Sequence, residues 1–211
     1  LTRLADELAR VLAESVPRRA RIEFVSLDLA GGDPRLKLYV RHRDLDFAAI
    51  DRSHALCPGY RAGDCERLVR GLFGGVPKVA RLGPISTFHV SLARGAVSHS
   101  SLNVPLEPLH YAPSAVTVPS DDVAIAMAVA RLVRSFGLAI DPLYPHMLSV
   151  ALNDGVRYPH HRYCGLQRRP SAVGDPSGAS GQDDVEVTVY LSHLLQAKRH
   201  GLAYGPQRLV P

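Results

Sequence analysis

Three side chains near the start of the chain have the types and spacing needed to bind an anion. Arg35, Lys37 and Tyr39 are separated by single apolar residues. Because side chains alternate across a β-strand, the three would share one face of it. Two cations about 7 Å apart along a strand can bind a diphosphate. The phenol can contact the same anion or stabilise a carbocation with the face of its ring. The pattern predicts an anion-binding strand, although a solvent-facing strand also often alternates Lys and Arg.

A second run near the end of the chain repeats this alternation. Glu186, Thr188 and Tyr190 share one face of a predicted strand, whereas Val187 and Val189 lie between them. A solvent-facing strand seldom needs a tyrosine, so the repeat favours a polar and aromatic interior over a surface.

The elements that must position these residues recur in a fixed order along the chain. Apolar periodicity predicts helices over residues 4–14, 44–55, 65–73, 121–136, 141–153 and 193–200. Alternation predicts strands over residues 21–29, 35–41, 86–93, 101–106, 161–168 and 185–192, with a polar loop around His99. Ser120 is the predicted N-cap of the fourth helix, and Gly137 the residue that ends it.

This order is a helix–strand–strand–helix unit used about three times. It predicts one α+β domain over residues 1–211, with an antiparallel sheet covered by helices on one face. If the sheet curls, its other face encloses a lumen. The loop over residues 170–184 is rich in Gly, Ser, Pro and Asp, and we expect it to be flexible or to act as a lid.

Composition limits the class of protein. The 211 residues carry a net charge of +5, but Lys and Arg are scattered without a basic block, so an anionic small molecule explains the surplus about as well as nucleic acid. No apolar run is long enough for a membrane span and no signal-peptide pattern opens the chain, so we expect a cytoplasmic protein. The chain starts at Leu1 inside a helical pattern, which suggests that an upstream part is missing.

No metal or nucleotide motif emerges. The acidic pairs at 121–122 and 183–184 lack the later aspartate of a DDxxD cluster, and we interpret them as a helix start and a loop end. His160 and His161 with Cys164 lack a second ligand cluster. The three cysteines fit no zinc or redox spacing, and we expect them to be free, buried thiols.

Several segments together resemble one enzyme family. The Arg-x-Lys-x-Tyr of residues 34–39 resembles the diphosphate-binding strand of the tryptophan dimethylallyltransferase (indole prenyltransferase) family. Four further segments resemble its bacterial members in order and spacing: Leu-Cys-Pro-Gly-Tyr at 56–60, Ser-Leu-Asn-Val-Pro-Leu at 101–106 with Tyr-Ala-Pro at 111–113, His-Arg-Tyr-Cys-Gly-Leu at 161–166 and Val-Thr-Val-Tyr-Leu at 187–191. The match covers nearly all of this chain but only the last three of the family's five αββα units.

The resemblance implies an antiparallel β-barrel with helices outside and the active site in its lumen. It implies transfer of a dimethylallyl group from its diphosphate to an indole such as tryptophan, without a metal cofactor. Arg35, Lys37, Tyr39 and Tyr190 would bind the diphosphate. Tyr39, Tyr163 and Tyr190 would form the tyrosine shield around the allylic cation.

The chain also departs from the family pattern. Asn103 stands where the family usually has a shielding tyrosine, and Ser101 and His89 are further candidate polar residues of the lumen. The family's catalytic base lies in the N-terminal units that have no counterpart here, so the catalytic residue is unassigned.

Other classes of function remain open at this point. A noncatalytic barrel or partner subunit could keep the diphosphate site and lack the base. A nucleic-acid-binding domain is opposed by the absence of basic clusters with interleaved aromatics. Three units would leave strand edges exposed, so either a missing N-terminal part or self-association is expected to complete the barrel.

Overall fold

A computed structural model of the 211-residue chain describes residues 2–15, 20–29, 33–112, 121–153, 160–169 and 184–191. The predicted helix at 193–200, Ser120 and residues 170–183 of the predicted loop lie outside these ranges. Residue 184, the last of that predicted loop, begins a strand.

Within the described residues, six strands form one antiparallel sheet in which each strand pairs with its neighbour in sequence. They are β1 (Ala20–Asp28), β2 (Arg35–His42), β3 (Ile85–Ser91), β4 (Ala96–Pro105), β5 (His161–Arg169) and β6 (Asp184–Leu191). The predicted strand pairs are therefore present, with β1 and β6 at the two edges of the described sheet.

One helix precedes the first strand, and the others lie in the connections between strand pairs. They are α1 (Thr2–Ser15), α2 (Phe47–His54), α3 (Asp64–Phe73), α4 (Asp122–Ser135) and α5 (Leu143–Asn153), with a short 3₁₀ helix at Pro108–His110. The N-cap of α4 is Asp121, whose carboxylate accepts a hydrogen bond from the Ala124 N–H, so the assignment of the cap to Ser120 was wrong. Gly137 follows α4 with a φ of 74°, a left-handed conformation that glycine adopts without strain.

The polar loop predicted around His99 is also wrong. His99 lies within β4, and the turn comes earlier, at residues 92–95, where Gly95 has a φ of 59°. The strand was hard to recognise because its helix-facing side includes Ser100. That serine is buried and hydrogen-bonded to the His54 imidazole, so the usual alternation of apolar and polar residues is absent here.

The hydrophobic core lies between the sheet and the helices. One part joins α3 and α4 to β4 and β5, and includes Leu68, Ile125 and Leu132, none of which is exposed. The other joins α1 to β2 and β3 through Val11 and Phe88. Burial of a side chain of this size stabilises the fold by about 1.5–3 kcal/mol. All these contacts lie on one face of the sheet, and the three cysteines are buried and free as expected.

The described sheet curls but is not closed. Arg41 on β2 interacts with Tyr163 on β5, although three strand spacings, about 14 Å in a flat sheet, separate their strands. The edge strand β1 remains open to solvent. Its exposed apolar residues, with the following Leu29, are Ile22 (42%), Phe24 (49%), Val25 (51%), Leu27 (54%) and Leu29 (67%).

In the described part of the chain, every helix is too short or too polar to cross a lipid bilayer.

Candidate functional site

The face of the sheet opposite the helix-packed core gathers every residue predicted for the site. We call it the inner face. In the register of the sheet, Lys37 lies beside His89, and His89 beside His99. Tyr39 lies beside Thr87, which lies beside Ser101. Because cross-strand partners point to the same side, the inner face includes all the candidates, namely Arg35, Lys37, Tyr39, His89, Ser101, Asn103, Tyr163 and Tyr190.

The two predicted cations form a cluster with a carboxylate on β1. The Lys37 Nζ lies 2.8 Å from the Asp28 Oδ2, and the Arg35 Nη2 lies 3.3 Å from the same oxygen. The Lys37 side chain is only 7% exposed and that of Arg35 31%, so Lys37 is not on a solvent-facing surface. Buried cations require a counter-charge, which Asp28 supplies. We call Arg35, Lys37 and Asp28 the cation cluster.

A pair of histidines borders the cation cluster. His89 is the cross-strand neighbour of Lys37, and its ring stacks on that of His99 with centroids 3.8 Å apart. Burial, together with the nearby charges of His99, Lys37 and Arg35, lowers the pKa of His89 to about 3. His89 is therefore neutral at physiological pH. Its buried Nδ1 has no hydrogen-bond partner within the described residues, as is also true of the buried Arg35 Nε.

Tyr39 lies two residues after Lys37 on the inner face of β2, and its ring stacks on an aromatic residue of β1. The Tyr39 and Phe24 rings are 4.0 Å apart between centroids and inclined by 26°. Two stacked rings beside the cation cluster present π-faces, which can stabilise an organic cation placed against them. Phe24 was not predicted as a site residue; a β-bulge between Ile22 and Phe24 interrupts the alternation of β1, and beyond it Phe24 shares a face with Ser26 and Asp28.

Arg41 extends the alternation of β2 by one more cation. It hydrogen-bonds the Glu23 carboxylate at 2.9 Å and the Gly83 carbonyl at 3.1 Å. Burial alone would lower the pKa of Arg41, but the interactions with Glu23 and Tyr163 raise it overall. Arg41 was not predicted as a site residue, yet it follows Tyr39 at the same two-residue spacing.

The two other predicted shield tyrosines lie next to each other on the inner face, at the opposite end of the strand order from the cation cluster. Tyr163 and Tyr190 are cross-strand partners on β5 and β6. Tyr190 is four strand spacings from β2, about 19 Å along a flat sheet, so only curling brings it towards Tyr39. The structure thus forms two groups, one at the cation cluster and one at the paired tyrosines.

Asn103 lies between these two groups. Its Nδ2 is 3.4 Å from the Thr87 Oγ1 and 3.5 Å from the Ser101 Oγ, and both contacts are weak. A Cβ atom at Gly165 would lie 2.5 Å from the Asn103 Oδ1, so the missing side chain at Gly165 makes room for the amide. Asn103 therefore presents a polar amide, not an aromatic ring, to the inner face.

Carboxylates on the inner face are engaged by neighbours. Asp28 and Glu23 pair with cations, and Glu186 accepts a hydrogen bond of 3.3 Å from the Thr188 hydroxyl. None of these three is assigned as a catalytic base.

The pair His160–His161 has a structural role on the helix side. Both imidazole Nδ1 atoms hydrogen-bond the Asp122 carboxylate, at 2.8 and 2.5 Å, and their backbone N–H groups donate to it as well. These contacts hold the start of α4 against the start of β5. Within the described ranges, no group of three or more His, Cys, Asp or Glu residues is arranged to hold a metal ion.

Comparison with known proteins supports this fold and does not assign a reaction. No family model matches the sequence, and no curated protein matches it either. Two solved structures are similar: a 6-dimethylallyl tryptophan synthase (TM-score 0.60, 18% identity, 76% of this chain and 45% of that one), and the 6-dimethylallyltryptophan synthase from Micromonospora olivasterospora in complex with DMASPP and Trp (TM-score 0.63, 21% identity, 90% of this chain and 50% of that one).

The chain has the fold of the prenyltransferase barrel. This confirms the predicted α+β architecture of an antiparallel sheet with helices outside. The chain spans about half the length of these two structures, and its described sheet is open, as expected for part of a barrel.

Proposed function

We propose that this chain is the diphosphate-binding part of an aromatic prenyltransferase that transfers a dimethylallyl group to tryptophan or another indole without a metal. The observation that carries the proposal is the cation cluster, with a buried Lys37 beside the stacked rings of Tyr39 and Phe24, on the inner face of a sheet with this fold. Both similar structures are tryptophan prenyltransferases by name, and one of them is bound to DMASPP and Trp.

Each part of the inner face has a chemical role in this proposal. Arg35 and Lys37 bind the diphosphate and offset the negative charge that grows on it as its bond to the allylic carbon breaks. The rings of Tyr39, Tyr163 and Tyr190 face the allylic cation and exclude water that would capture it. The electron-rich indole ring then attacks the cation, and a base that is not assigned in this chain removes the ring proton.

We also propose that the open edges of the sheet are covered in the active protein. On the face opposite the inner face, β1 exposes Val25 and Leu27. An uncovered edge strand with apolar side chains favours association with another strand. Further strands from a longer protein or from a second copy of this chain would supply that cover.

The direct test is turnover in the presence of EDTA. The purified protein is incubated with dimethylallyl diphosphate and L-tryptophan, and the products are analysed by mass spectrometry for a C5H8 addition to tryptophan. A prenylated product that forms at the same rate with EDTA and with added Mg²⁺ supports the proposal. Binding of the diphosphate without any product, in a form of the protein whose β1 edge is covered by further strands, would instead support a noncatalytic binding barrel.

A further inference from the structure

The carboxylate of Asp28 occupies the place where an anionic ligand of the cation cluster would bind. One oxygen, Oδ2, lies within 2.8 Å of the Lys37 Nζ and 3.3 Å of the Arg35 Nη2. A single oxygen that bridges an ammonium and a guanidinium has the geometry of a phosphoryl oxygen held by the same two groups. Asp28 therefore supplies the negative partner of Arg35 and Lys37, the two cations that bind the diphosphate in the proposed function.

We propose that Asp28 is an internal competitor that sets the affinity of this site for anions. The inference rests on the diphosphate site of the proposed function. In the ligand-free protein Asp28 neutralises one of the two positive charges. An incoming anion must either displace the carboxylate or bind more weakly because the carboxylate repels it. A weakly bound anion such as orthophosphate is then excluded, whereas a diphosphate makes enough contacts to displace the carboxylate.

The surroundings of the cluster make this displacement feasible. The Asp28 side chain is 21% exposed and lies at the end of the edge strand β1, so it can move away. Lys37 is 7% exposed and has little water to replace a lost counter-charge. Its need for an anionic partner remains whether Asp28 or a ligand supplies it. The neutral imidazole of His89 beside Lys37 adds no competing charge.

The test is the substitution Asp28→Asn, with pyrophosphate and orthophosphate as separate probes in isothermal titration calorimetry. Removal of one negative charge within a few ångströms of the ligand is expected to tighten pyrophosphate binding by about tenfold. The orthophosphate affinity is expected to rise by a similar factor, because displacement of Asp28 costs the same for either anion. A rise for pyrophosphate alone would overturn the displacement mechanism.

Two variants control this comparison. Asp33→Asn removes the same charge from the turn before β2, where Asp33 hydrogen-bonds Ser91 and Arg94 and interacts with Arg35 only through a weak Coulombic attraction, and it is expected to change the affinity much less than Asp28→Asn does. Asp28→Glu keeps the carboxylate and should bind pyrophosphate within about threefold of the wild type. A second readout is thermal unfolding, in which Asp28→Asn should melt earlier than the wild type without anion and gain more from pyrophosphate.

The outcomes separate the inference from the proposed function. If the wild type binds pyrophosphate and Asp28→Asn binds it equally well or more weakly, the competitor role is wrong while the diphosphate site stands. If neither the wild type nor Asp28→Asn binds pyrophosphate, both the competitor role and the diphosphate site are wrong.

Discussion

Replacement of Lys37 by methionine tests the proposed diphosphate site most directly. Methionine keeps an unbranched side chain of similar length, so the packing of the lysine stem is largely preserved and only the charge is lost. Asp28 keeps its contact with Arg35 at 3.3 Å and is partly exposed, so the variant is expected to fold.

The size of the effect follows from the burial of the ammonium. A hydrogen bond to a charged group contributes about 1.5–3 kcal/mol, and the 7% exposure of Lys37 leaves little solvent to screen it. Loss of this interaction should weaken diphosphate binding by about 10- to 150-fold.

The assay is calorimetric titration with dimethylallyl S-thiolodiphosphate, an analogue that resists ionisation, with circular dichroism to confirm the fold. Arg94→Met is the matched control, because it removes the same charge from an exposed residue that pairs with Asp33 at the same end of the sheet. An affinity of Lys37→Met within twofold of the wild type would refute the assignment. An equal loss in both variants would show that only net charge matters.

Two further predictions concern the polar contacts that hold the sheet to its helices. Asp64→Ala should destabilise the fold by about 3–5 kcal/mol in urea unfolding, because it removes the carboxylate that pairs with the buried Arg168 guanidinium. Asp64→Leu combined with Arg168→Met should recover much of that loss, and a similar loss in both variants would count against the ion pair. Burial alone would raise the pKa of Asp122, but hydrogen bonds from His161 and His160 lower it well below its ordinary value of 3.8. Its stabilisation is therefore complete above about pH 4 and lost as the pH falls further. The difference in unfolding free energy between wild type and Asp122→Asn should shrink below that pH, and a constant difference down to pH 3 would contradict this account.

The sequence predicted the inner face of β2 because strand alternation is a local property. Arg35, Lys37 and Tyr39 share a face whatever the rest of the chain does, once the segment is a strand. The same rule would have reached Arg41, two residues further on. The contact between Lys37 and Asp28 was not predictable in this way, because it depends on the register between two strands and on the turn that joins them.

Buried polar contacts on the helix side of the sheet explain why the first half of β4 was predicted as a loop. Ser86 and Ser100 face the helices, where apolar residues are expected, and both are buried. The Ser86 hydroxyl lies 2.8 Å from Nε2 of both His42 and His54, and burial lowers the pKa of these imidazoles to about 4 and 3. A neutral histidine and a serine can satisfy each other in a core, but neither carries the apolar signal by which a strand is recognised.

The position of the cation cluster in the sheet has a consequence for activity. Both Asp28 and Phe24 belong to β1, the edge strand, so the cation cluster lies at the boundary of the described sheet rather than at its centre. Phe24 is 49% exposed although it stacks on Tyr39. An allylic cation formed there would be reached by water unless another strand covers β1. Diphosphate binding depends on contacts that are already formed, whereas prenyl transfer also depends on that cover. We therefore expect binding to be observed in the chain by itself, and efficient turnover only where β1 is paired.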